Sequence, residues 1–201
     1  MEKKKTQKVI TEKKPQLIGI GGIGHNVGCT HFAIMLANYL AGYRRKKTAL
    51  LEWNRSGDFE RLERICNGRN REGVQFRVLE VDFYKNAGRE ELAEVLRSNV
   101  DEILIDFGNI EKEQLSEIAR CEKQFLIGSF SEWQEEVFWN FVRENGAGNG
   151  NWQFLAVFGS EETRKEFRRR PGIFTERIPF SADAFSVTRE SCTFFHQLMN
   201  P

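Results

Sequence analysis

The sequence predicts a three-layer α/β fold built around a mostly parallel sheet, and three observations carry that reading. Short apolar runs that read as buried strands alternate with stretches of helical spacing from Pro15 to the end. A glycine-rich break, Gly22 to Gly28, separates the first strand from the first helix. The 201 residues, 40% hydrophobic and 29% charged, suit one domain with a well-buried core. The net charge of +1 excludes a global field drawing the chain toward nucleic acid or an anionic membrane.

Residues 1–15 are polar and basic without usable periodicity, and read as a flexible, solvated tail. The single domain is expected over 16–201. QLIGIG after Pro15 is a buried strand, and CTHFAIMLANYLAGY is a helix with enough apolar residues to bury more than one face. KKTALLEW is a second strand that passes into the turn cluster NRSGDF, followed by a polar helix, FERLERICNG. GVQFRVLEVDF reads as one strand from the alternation of Val74, Phe76 and Val78 with Gln75 and Arg77. REELAEVLRSN is a helix with Leu92, Val95 and Leu96 inward, and DEILIDFGN is a buried strand ending at an acid and a glycine.

The alternation continues with a helix over EKEQLSEIARC, a strand at QFLIGSF and a helix over SEWQEEVFWNFVREN. In that helix Trp133, Val137, Phe138 and Phe141 lie at helical spacing, which suits packing in the core or on a partner surface rather than a cofactor box. GAGNGN is a turn and WQFLAVFGS a strand. EETRKEFRRR is a charged helix, either a solvated face or an anionic-partner or DNA contact. IFTERIPF is extended, and a last helix runs from about Ala184 to Met199. Right-handed crossovers set the loops after the strands' carboxyl ends along one edge, where ligands of open α/β sheets bind.

Cys29, Cys66, Cys121 and Cys192 are far apart and form no C-x-x-C pair, which suits reduced thiols and a cytoplasmic protein. No stretch approaches the roughly 18–20 apolar residues of a membrane span.

The chemistry concentrates in GIGHNVGCTH. A loop between strand and helix aims the helix's unpaired first amides at whatever lies above the strand end, which is a setting for an anion. Gly24 and Gly28 allow close backbone approach, and Thr30 in the first helical turn sets a hydroxyl where Mg²⁺ on a phosphate would lie. This loop resembles the deviant Walker A loop of the MinD/ParA group (SIMIBI-class P-loop NTPases), K-G-G-V-G-K-T, laid over Gly24, His25, Asn26, Val27, Gly28, Cys29 and Thr30. Val27, Gly28 and Thr30 match, while Gly24 and Cys29 replace both lysines. TALLEWNRSGDF resembles the group's second-strand motif, with Glu52 and Asn54 at its two aspartate positions. DEILIDFGN resembles its Walker B strand, ending at Asp106, and RIPFSAD, with Pro179, resembles the late segment near the base. The likeness extends to divergent members that accompany pilus assembly, of TadZ and CpaE type.

That resemblance implies ATP or ADP with Mg²⁺ as ligand, held by the loop residues through His31, with Thr30 and Asp106 serving the metal and Glu52 the attacking water. It also implies a homodimer and a protein partner in an assembly or positioning system. Without the lysines, the preorganised positive charge of phosphoryl transfer is absent, so the resemblance implies weak binding with little or no hydrolysis. His25 is open to two readings, a phosphate contact or an exposed turn residue. His31 packs or bonds locally, or joins His25 and Cys29 as a metal set that lacks a fourth ligand. Cys29 is an inert thiol or a nucleophile sharpened by the helix N-terminus. Three functions therefore stand: a feebly catalytic nucleotide-binding adaptor, a true ATPase with non-lysine phosphate contacts, and a nucleotide-free interaction scaffold.

Overall fold

The computed structural model describes residues 14–69, 72–145, 151–160, 162, 163, 165, 169 and 175–200. The basic tail, the GAGNGN turn and most of the EETRKEFRRR segment lie outside the described residues, apart from Lys14, Pro15 and a few positions at the edges.

Eight strands form one sheet: β1 (Gln16–Ile23), β2 (Thr48–Glu52), β3 (Gln75–Val78), β4 (Val81–Tyr84), β5 (Glu102–Asn109), β6 (Lys123–Gly128), β7 (Trp152–Ala156) and β8 (Thr175–Arg177). Their order is β3-β4-β2-β5-β1-β6-β7-β8, and every pair is parallel except β3 with β4. The helices are α1 (Cys29–Asn38), extended by a π-helical turn over Tyr39–Tyr43, α2 (Asp58–Asn67), α3 (Arg89–Arg97), the single turn α4 (Leu115–Ile118), α5 (Glu135–Asn145) and α6 (Arg189–Met199).

Strands buried on both faces explain the unbroken apolar runs of β1, β5 and β6. Ile18, Ile20, Leu50, Leu104, Phe125 and Leu155 point to one side and pack with Phe32, Leu36 and Tyr39 of the first helix, Phe59 of α2 and Phe195 of α6. The alternate residues Ala49, Leu51, Ile103, Ile105, Phe107 and Leu126 pack on the other side with Val95 of α3, Ile118 of α4 and Phe138 of α5. The layering is therefore helix, sheet, helix, with the strand period of two dividing the core into two halves.

Three expectations need correction. GVQFRVLEVDF is not one strand but a tight antiparallel hairpin, in which Val78 pairs with Val81 and Leu79 takes a left-handed φ of 52°. The alternation persists across both arms, so periodicity alone could not reveal the reversal, and no glycine or asparagine marks it. In α3, Val95 is buried but Leu96 is exposed. It lies at a shallow recess with Leu17, Glu117 and Arg120, a flank the single turn of α4 leaves open. Trp133 precedes α5 instead of belonging to it, and is 88% exposed, whereas Phe138 is fully buried.

Candidate functional site

β1 is the middle of the reversal in strand order, with β5 on one side and β6 on the other. An open α/β sheet forms its crevice at such a point, beyond the carboxyl ends of the strands. Here the crevice is an open hollow of about 1120 Å³. Its lining includes Gly24, His25, Asn26, Val27, Gly28, Cys29, Thr30 and His31, the whole predicted loop, together with the turn after β2 (Trp53 to Ser56, with Asp58) and the end of β5 (Phe107 to Asn109).

The loop's shape follows from its backbone. Gly24, Asn26 and Gly28 have φ of 102°, 56° and 77°, and Gly28 is the N-terminal cap of α1. No side chain caps that helix and no acid occupies its first turn, so the amides there are answered by neither. Three bonds pin the loop. The Gly24 N–H donates to Asn109 Oδ1 (3.1 Å), Gln134 Nε2 donates to the His25 carbonyl (3.0 Å), and the Ile110 N–H donates to the Gly22 carbonyl (2.9 Å). Asn109 and Gln134 carry no motif in the sequence, and only their place at the end of β5 and before α5 gives them this role.

Asp106 is the centre of the floor. It is fully buried, and its Oδ2 accepts from the Thr30 hydroxyl at 2.7 Å. Its Oδ1 accepts from the Gly108 N–H at 2.9 Å and from the Cys29 thiol at 3.2 Å. Burial raises the Asp106 carboxyl above its ordinary value; the Thr30, Gly108 and Cys29 donors oppose this, and Glu52 adds a further push upward. Burial, then the Asp106 charge, hold the Cys29 thiol well above its ordinary range. A thiol in that state is a poor nucleophile, whatever the helix N-terminus contributes.

Glu52 is the register neighbour of Asp106 across β2 and β5. It is also fully buried. Its Oε1 accepts from the Phe59 N–H in the first turn of α2 (3.1 Å) and from the Ser56 hydroxyl (3.0 Å), and its Oε2 accepts from the Asn86 N–H (3.1 Å). Both carboxylate oxygens thus serve protein donors and tie β2, α2 and the turn after β4 together. Asn54 donates to the Asp106 carbonyl (3.3 Å) and packs so close to Gly108, which holds φ of 61°, that a side chain there would collide with it. His31 is half-buried, and its Nε2 has no hydrogen-bond partner among the described residues. Pro179 does not line the hollow; it flanks a separate recess with Arg189, Thr193, Phe194 and Gln197.

Strand order, loop position and the Thr30–Asp106 bond together define the architecture. This chain has the fold of the ParA/MinD-type P-loop ATPases. It is similar to a plasmid partition protein of Borrelia burgdorferi B31 solved with AMPPNP bound, at 15% identity over 93% of this chain and 97% of that one, with a TM-score of 0.63. A ParA family ATPase of Chlorobium tepidum is 14% identical over 93% and 91% of the two chains, with a TM-score of 0.58. The MinD cell division protein of Aquifex aeolicus is 17% identical over 75% and 72%, with a TM-score of 0.54. No family model and no curated protein matches the sequence. The Cys29 thiol, at the start of α1, is turned down to Asp106.

Proposed function

We propose that this chain is a ParA/MinD-like nucleotide-binding protein that takes ATP or ADP with Mg²⁺ weakly, hydrolyses it little or not at all, and acts as an assembly or positioning adaptor. The observation that carries this reading is the Cys29–Asp106–Thr30 arrangement. The loop keeps its uncapped amides and its hydroxyl, while the position that should present a cation presents a buried, uncharged thiol. Amides and hydroxyl support binding, and the missing cation removes stabilisation where phosphoryl transfer needs it.

The donor set fits a magnesium ion. Thr30 lines the hollow and donates its proton to Asp106, which leaves oxygen lone pairs for the metal, with Asp106 behind it to orient the hydroxyl. Mg²⁺ would supply charge neutralisation between phosphate oxygens. In the same proposal Glu52 acts on the reaction only indirectly, by fixing the turn that walls the hollow. The exposed Trp133 and Val137 flank Gln134, which holds the loop, and this supports a homodimer joined on the loop side.

One feature favours the nucleotide-free scaffold as a second reading, because the hollow's lining carries three carboxylates, Asp58, Glu111 and Glu113. Calorimetric titration with ATP and ADP, with and without Mg²⁺, separates the two, since only the adaptor gives Mg²⁺-dependent heats. Phosphate release should stay below about a thousandth of a typical turnover of about ten per second. Release near one per second, abolished by Thr30→Ala, would overturn the proposal in favour of an ATPase.

A further inference from the structure

A bound polyphosphate brings several negative charges, and uncapped amides alone answer only part of them. The loop has no lysine, so any full positive charge that this chain's side chains add to that of Mg²⁺ has to come from elsewhere in the hollow. Among the described residues that line it, only one side chain carries such a charge at every pH, Arg55. Its nearest competitors for attention are themselves engaged or negative. Asp58 is paired with Arg61 and accepts from Ser56, while Glu111 and Glu113 line the hollow after β5. Arg55 itself is exposed and has no hydrogen-bond or ion-pair partner among the described residues.

Its backbone is unusual for so large a residue. Arg55 holds φ of 55°, a left-handed conformation rare outside glycine, asparagine and aspartate. The turn enforces it. The Ser56 N–H donates to Asn54 Oδ1 at 2.9 Å, and Asn54 is fastened in turn to the Asp106 carbonyl. The same carboxylate residue that anchors Thr30 and Cys29 therefore anchors the turn that carries the guanidinium. Loop and cation share one fixed point.

We propose that Arg55 supplies the charge on the distal phosphates of a nucleoside di- or triphosphate that Gly24 and Cys29 no longer provide. This rests on the nucleotide-binding reading above. A guanidinium meets phosphate oxygens through parallel N–H donors, so it discriminates a polyphosphate from a monophosphate by contact as well as by charge.

The test is titration of the full chain with ATP, ADP, AMP and sodium tripolyphosphate at fixed Mg²⁺, for the parent, Arg55→Gln, Arg55→Lys, Arg55→Gly and His25→Gln. Arg55→Gln should weaken ATP, ADP and tripolyphosphate at least about tenfold, with AMP changed less than about twofold. Arg55→Lys should recover part of the loss. Arg55→Gly, which suits the left-handed backbone, should melt no lower than the parent and still lose binding, which separates the charge from any folding defect. Parental ATP affinity in a folded Arg55→Gln or Arg55→Gly, or a tenfold loss confined to His25→Gln, overturns the Arg55 assignment and leaves nucleotide binding standing. A parent that binds neither ATP nor tripolyphosphate overturns both.

Discussion

Asp106 concentrates the chemistry of single residues in this protein. A carboxyl raised in the folded state contributes its full stability below its ordinary value near 3.8 and loses it as pH climbs through the raised one. An asparagine has no such loss. Its amide oxygen can keep the Gly108 donor and its amide nitrogen can give a proton to the Thr30 hydroxyl. Asp106→Asn should therefore melt close to the parent near pH 4 and above it at pH 7, the gap widening between. Thermal unfolding at three pH values checks this, and a variant less stable than the parent at pH 7 would refute it. Legibility at this scale was uneven. Thr30, Asp106 and the loop glycines announce themselves because their chemistry depends on residue type at fixed spacing. Asn109, Gln134 and Arg55 do not, because their roles come from where the chain carries them.

At the scale of elements, the hairpin of β3 and β4 holds the clearest local conflict. Leu79 occupies its turn with φ of 52° and an exposed side chain, so it bears the left-handed cost without a packing return. For such a residue the cost is about 1–2 kcal/mol, from which the extra chain entropy of glycine subtracts about 0.5–1 kcal/mol. Leu79→Gly should raise stability by about 0.5–1 kcal/mol, measured by urea unfolding, with no change in nucleotide titration. A loss of stability would show that Leu79 packs more than its exposure suggests. The hairpin also shows why an element can escape the sequence. A two-residue turn preserves the period of two on both sides, and turn chemistry was the only cue that would have marked it.

For the whole molecule, strand alternation and apolar runs made the layered sheet readable, because crossover handedness leaves few ways to connect them. What holds one end of that sheet was not readable. Lys85, after β4, reaches Glu63 of α2 at 2.7 Å, and both are buried. This pair clasps a helical layer to the sheet in low dielectric, where removing one partner strands the other charge. Lys85→Met should cost about 3–5 kcal/mol in urea unfolding, and adding Glu63→Leu should recover most of it. Equal instability of the single and double variants would mean that Lys85 acts through its other contacts. Among the described residues no helix is long and apolar enough to cross a membrane.

The three donors gathered on Asp106 also bear on how this loop can change with time. A lysine placed at position 29 would run past a buried carboxylate that accepts from Thr30, Gly108 and Cys29, and would remove the thiol donor from it. A change in the loop is thus also a change in the floor of the hollow, because one thiol belongs to both.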